Sequence, residues 1–136
     1  MAAVKLIGLD ARTLLSGADD VLSTTSEAWA GRWPRAVALL TRQALERSLE
    51  ELWAAKSPPM LRASERAQLL CLRQWVNPEL AGRTYYTWSA LSQACHQHAY
   101  DLAPTSSELS GWIETVDELE RTVRDRVALK PRDGSR

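Results

Sequence analysis

The chain has 136 residues, 17 Lys and Arg against 17 Asp and Glu, and 45% apolar residues. That length and balance fit one domain with enough apolar material for a single core, and they argue against a phosphate-gripping basic protein, a polybasic membrane-surface protein or a disordered chain. No apolar run approaches the roughly 20 residues that cross a bilayer, so no membrane association is expected.

The first residues, Met1 to Asp10, meet an acid before any long apolar core develops, so a signal peptide is not expected and the cytoplasm is the expected location. Cys71 and Cys95 fit reduced, buried thiols better than a disulfide framework. The sequence holds 19 Ala and 20 Leu against 9 Ile and Val, with 6 Trp and no Phe. Ala and Leu lose little side-chain freedom in a helix, so the mix favours helix, and Trp is expected to supply the bulky core contacts.

Five helical segments are expected in residues 1–129. The first runs from about Asp10 to Trp29, with Leu14, Ala18, Val21, Thr25, Ala28 and Trp29 at helical spacing and Gly31 beyond its end. The second opens at Trp33-Pro34, where proline suits a first turn, and continues to Lys56 before Ser57-Pro58-Pro59; Leu45, Leu49 and Leu52 form its inner stripe. The third spans about Ser64 to Val76 and stops at Asn77-Pro78. The fourth covers about Thr84 to Leu102, after Gly82, with Trp88, Leu91, Cys95, Ala99 and Leu102 on an apolar face. Pro104 then breaks the chain, and Thr105-Ser106-Ser107-Glu108 reads as a capping box that opens the fifth helix, which runs to about Leu129. Its Leu109, Trp112, Ile113, Val116, Leu119, Val123 and Val127 make a stripe suited to a core or a dimer seam. Residues 130–136 read as a frayed tail. No strand alternation occurs, so the expected fold is all-α: an antiparallel up-and-down bundle of about five helices joined by short loops, with about 70% helix and no sheet.

The chemical motifs of common enzymes are absent: there is no glycine-rich phosphate loop, no Cys-x-x-Cys pair and no His-Glu-x-x-His helix. Both histidines lie in the fourth segment. His96 and His98 stand about 200° apart on a helix, so they do not share one metal ion, and no metal or other cofactor is expected. Tyr85, Ser89, Ser92, His96 and Tyr100 share a polar, aromatic face. Structurally, that face packs as a polar seam against a neighbouring helix; functionally, His96 with Ser92 and Tyr100 lines a ligand or nucleotide groove and supplies a proton or hydrogen bond near neutral pH. On the second helix, Arg42 projects beside Leu45 and needs a partner. Glu46, four residues on, is the local one, and a contact with the fourth helix would make Arg42 and His96 neighbours.

The run Arg35-Ala36-Val37-Ala38-Leu39-Leu40-Thr41-Arg42-Gln43-Ala44-Leu45-Glu46, followed after a short helix by Trp88-Ser89-Ala90-Leu91-Ser92 and the histidine stretch, resembles the HEPN superfamily of small helical bundles. The likeness covers residues 10–129 in layout. It implies a four- or five-helix bundle, frequently dimeric, of a kind found in toxin–antitoxin, phage-defence and RNA-processing systems. Active members are metal-independent ribonucleases whose signature is an Arg followed after four to six residues by a His. Here Ser89, Ala90 and Leu91 stand in that register before His96, and Leu91, Ser92 and Gln93 before His98. The resemblance therefore implies a non-catalytic member that binds or dimerises, with His96, Tyr100, Ser92, Arg42 and Glu46 as its binding residues. A homodimer built on the first and fifth helices, or a complex with a partner protein, is expected; RNA or a nucleotide is a further candidate ligand. The competing reading is a ribonuclease with a displaced site that uses Arg42, or Arg83, with His96.

Overall fold

The computed structural model describes residues 9–24, 33–96 and 102–129. They form α1 (Ala11–Ser23), α2 (Trp33–Lys56), α3 (Glu65–Cys71), α4 (Pro78–Cys95) and α5 (Ser106–Ala128), with 3-10 turns at Pro58–Arg62 and Leu72–Gln74. Helix accounts for 86% of the described residues, and no strand occurs among them. The all-α expectation therefore holds.

Side chains start four of these helices. Asp10 Oδ1 accepts from the Thr13 amide at 2.8 Å, Ser64 Oγ from Ala67 at 3.2 Å and Asn77 Oδ1 from Glu79 at 2.8 Å. Each satisfies an amide that has no partner in the first helical turn. At α5 the capping box forms as read: Thr105 Oγ1 accepts from the Glu108 amide and Glu108 Oε1 from the Thr105 amide, both at 3.1 Å.

Several boundaries differ from expectation. α4 begins at Pro78 rather than Thr84, because Asn77 is its N-cap and Pro78 fills the first position, where a missing amide hydrogen costs nothing. Gly82 is no breaker: it lies inside α4, and a Cβ there would meet nothing within 4 Å. α1 stops at Ser23, where the Thr24 hydroxyl donates to the Asp20 carbonyl at 2.5 Å and competes with continuation of the helix. The expected residues Thr25, Ala28 and Trp29 lie outside the described residues, as does Gly31. α3 is shorter than expected, ending at Cys71 before its 3-10 turn.

The core gathers on α2, whose Leu45, Leu49, Leu52 and Trp53 are at most 1% exposed, and which packs on α1, α4 and α5. Burying each such side chain contributes roughly 1.5–3 kcal/mol. Trp33, Trp75, Trp88 and Trp112 pack partly buried against this core, as the reading of Trp as core material expects. α4 turns Leu80, Thr84, Thr87, Leu91, Ala94 and Cys95 inward. Leu102, expected on that face, is instead 96% exposed and lies beyond the helix.

The α5 stripe is absorbed within the chain: Leu109, Ile113, Val116, Leu119 and Val123 are buried against the other helices, and Val127 is exposed. α1 is fastened to α5 by charge. Arg12 bonds Glu120 and pairs with Asp117 at 2.7 Å, while Arg124 reaches Glu120 at 3.1 Å and Arg121 reaches Asp117 at 2.9 Å. No helix among the described residues is long and apolar enough to cross a membrane.

Candidate functional site

The sequence candidates fall into two places. The first is a seam where α2, the start of α3 and the C-terminal half of α4 meet. Arg35, Arg42 and Glu46 recur along α2 at intervals of seven and four, which sets them on one stripe of the helix. Arg35 Nη2 donates to the Cys95 carbonyl at 3.1 Å. Arg42 Nε donates to Glu46 Oε1 at 2.8 Å, and the Cys95 thiol lies near the same guanidinium. Glu65, at the first position of α3, lies near the Glu46 carboxyl and accepts from Trp88 Nε1 at 3.2 Å. The Trp88 ring meets Tyr85 at 6.5 Å between centroids, tilted by 54°.

The electrostatics follow from burial set against pairing. Burial pulls the Arg42 guanidinium down, but the bond to Glu46 and the nearby Cys95 thiol outweigh it and leave its pKa above the ordinary arginine value. Burial pushes the Cys95 thiol up, and Arg42 only partly opposes that, so Cys95 is an inert thiol rather than a nucleophile. Burial and then Glu46 push the Glu65 carboxyl up, against Trp88 and Arg42. Ser92 Oγ is buried and has no hydrogen-bond partner among the described residues.

The second place is an open cleft of about 680 Å³ between the end of α4 and the start of α5, lined by Tyr86, Gln93, His96, Leu102, Glu108 and Trp112 among others. His96 is the C-cap of α4, its amide bonded to the Ser92 and Gln93 carbonyls at 3.2 and 3.1 Å. It is exposed, and the Glu108 across the cleft from it is held in the capping box. Tyr100 and His98 lie outside the described residues, so the predicted grouping of His96 with Tyr100 does too.

Arg42 therefore lies near the fourth helix, beside Cys95, one residue before His96, while Arg35 makes the hydrogen bond to that end of the helix. Arg83, the other candidate cation, bridges Glu118 at 2.8 Å and Glu79 at 3.6 Å. Glu65, Trp88 and Cys95 were not singled out as site residues by sequence reasoning. Nothing local to Glu65 points to Glu46, nineteen positions away, although Trp88 and Cys95 did share a predicted face. Among the described residues, no three His, Cys, Asp or Glu side chains converge as a metal site. A scan against family models, a search of curated proteins and a search of solved structures give no match.

Proposed function

We propose that the chain is a non-catalytic, HEPN-like helical module that binds a partner protein or a second copy of itself, in a bacterial defence, toxin–antitoxin or stress system. The observation that supports the non-catalytic part is the state of Arg42. Metal-free RNA cleavage needs a general acid or base at the 2′-hydroxyl and a free cation at the phosphate. Arg42, the candidate cation of the ribonuclease reading, is bonded to Glu46 with Glu65 nearby, and Arg35, which reaches the residue before His96, is engaged with the Cys95 carbonyl. The Glu46 carboxylate balances the guanidinium's charge, which leaves Arg42 less able to hold a phosphate. The binding surface in this reading is the α4–α5 cleft, where exposed Tyr86 and His96 stand beside the partly buried Trp112.

A ribonuclease reading keeps one point in its favour: Arg42 and His96 approach the same end of α4. Incubation of RNA with the wild type, His96→Ala and Arg42→Ala separates the two. No cleavage by any of the three is the expected result. Cleavage by the wild type that both substitutions abolish would overturn the proposal and install Arg42 and His96 as the catalytic pair.

A further inference from the structure

We infer that the outer face of α3, a surface separate from the α4–α5 cleft, docks into the acidic groove between α1 and α5 of a second copy, so that the chains associate head to tail. Residues 58–77 carry Arg62, Arg66 and Arg73 against one acid, Glu65, in a chain of zero net charge. Glu65 is half-buried and accepts from the Trp88 indole, whereas all three arginines are exposed. None of the three has an ion-pair partner among the described residues. Arg66 and Leu70 stand four positions apart on α3, one above the other, and the 3-10 turn that carries Arg73 follows without a break. Leu61 and Arg62 are held beside them, because the buried Gln68 amide donates to the Met60 carbonyl at 3.0 Å and to the Ala63 carbonyl at 3.1 Å. Leu61 is 43% exposed and Leu70 59%, so the face sets uncovered leucines among its cations.

The occupant follows from charge complementarity. α5 carries six acids against three arginines. The groove of about 310 Å³ between it and α1 has Leu15 and Ile113 as its floor and Asp19, Glu114 and Asp117 along its rim. Arg12, the one cation among the described residues that line it, is already held by Asp117 and Glu120. Asp19 and Glu114 are exposed and have no ion-pair partner among the described residues. The groove thus offers two open carboxylates over an apolar floor, and the α3 face offers guanidinium groups beside leucines. A phosphate backbone gives those leucines no apolar cover, and a chain of zero net charge has no further basic excess to hold it to an anionic membrane. α3 packs on α4, while α1 packs on α2 and α5, so face and groove are different patches of the surface. Contact between two different patches is heterologous, and it repeats from copy to copy until it closes into a ring or extends as a chain.

The test is sedimentation velocity on the full chain at concentrations rising into the millimolar range, with circular dichroism to check that every variant keeps its helix. The wild type is expected to sediment faster as concentration rises. It should return to a single chain between about 0.1 and 1 M salt, where the screening length falls from about 10 to about 3 Å. Neutralising the basic face in Arg66→Gln/Arg73→Gln, or the groove in Asp19→Asn/Glu114→Gln, should each abolish the shift, while His96→Ala in the α4–α5 cleft keeps it. An equimolar mixture of the two double variants should form a two-chain species and nothing larger, since one supplies an intact groove and the other an intact face. A wild type that stays a single chain, a double variant that associates like the wild type, a mixture that stays monomeric, or loss of the shift in His96→Ala would each overturn the inference. So would binding of single-stranded RNA or of anionic phospholipid vesicles that Arg66→Gln/Arg73→Gln abolishes, in place of self-association.

Discussion

Replacing Arg12 by Met keeps most of the side-chain stem and removes the charge that fastens α1 to α5. Glu120, its partner, is 6% exposed, so its ionised carboxylate depends on neighbours for the solvation that water would otherwise give. In the variant, Glu120 keeps Arg124 at 3.1 Å and Asp117 keeps Arg121 at 2.9 Å, both from side chains more than half exposed. Removing one partner from a fully buried pair costs about 3–5 kcal/mol, and an exposed pair contributes about 0–1. Arg12 is 38% exposed at its side chain, which screens the interaction, so about 1–2 kcal/mol is expected. Urea unfolding followed by helical circular dichroism should show the midpoint falling by roughly 0.5–1 M, given a slope of about 2 kcal/mol per M. The double variant Arg12→Met with Glu120→Leu removes the stranded carboxylate as well, so it should recover much of that loss. An unchanged midpoint in Arg12→Met at low salt, or a double variant as unstable as the sum of its singles, would refute the buried-charge reasoning.

Two further substitutions probe single side chains. Thr84 Oγ1 is buried with no hydrogen-bond partner among the described residues, so Thr84→Val, of nearly the same shape, should stabilise by about 0.5–1.5 kcal/mol in the same urea assay. A loss instead would mean that the hydroxyl has a bound partner. Burial pushes the Glu51 carboxyl above its ordinary value of 4.5, with Asp10 and Glu120 adding to the effect and Arg47 opposing it. The folded state therefore holds the Glu51 proton more tightly than the unfolded chain does, a contribution fully present below 4.5 and lost as pH rises through the folded value. Glu51→Gln should accordingly be more stable than the wild type at neutral pH, with the gap closing in acid; a gap that widens in acid would reverse the sign of this assignment.

The helices were legible because their signals are local. A capping box occupies four consecutive residues, and Leu45, Leu49 and Leu52 announce a buried face by spacing alone. α2 accordingly runs from Trp33 to Lys56 as read. The misplaced start of α4 has a local cause too. Asn77-Pro78 carries the same chemistry whether it ends one helix or starts the next; here α3 has already ended at Cys71, and the pair starts α4, with Asn77 as the cap and Pro78 at the first position. Gly82 then tipped the reading toward a later start, although an interior glycine only weakens a helix by about 1 kcal/mol.

The candidate site was half legible, and the division follows the range of the interactions. Arg42 with Glu46 is an i to i+4 pair, visible in a single helix and found at 2.8 Å. Its contact with the fourth helix was open to inference because an arginine at the rim of a buried stripe must find partners. Which residue of that helix it meets depends on rotation about the α4 axis. Reading α4 from Thr84 gave the correct apolar positions Leu91 and Cys95, but it did not anticipate that the helix would end at Cys95. A helix ending there leaves His96 as a cap facing the α4–α5 cleft, separate from Ser92, whose hydroxyl is buried. Glu65 was hidden for a different reason. Its meeting with Glu46 exists only because two 3-10 turns and the short α3 lay that segment across α2 and α4, and no period in the sequence encodes such a crossing. The same crossing brings Glu65 near Arg42 and Glu46, where burial and the neighbouring acid raise its hold on a proton and Trp88 and Arg42 oppose them.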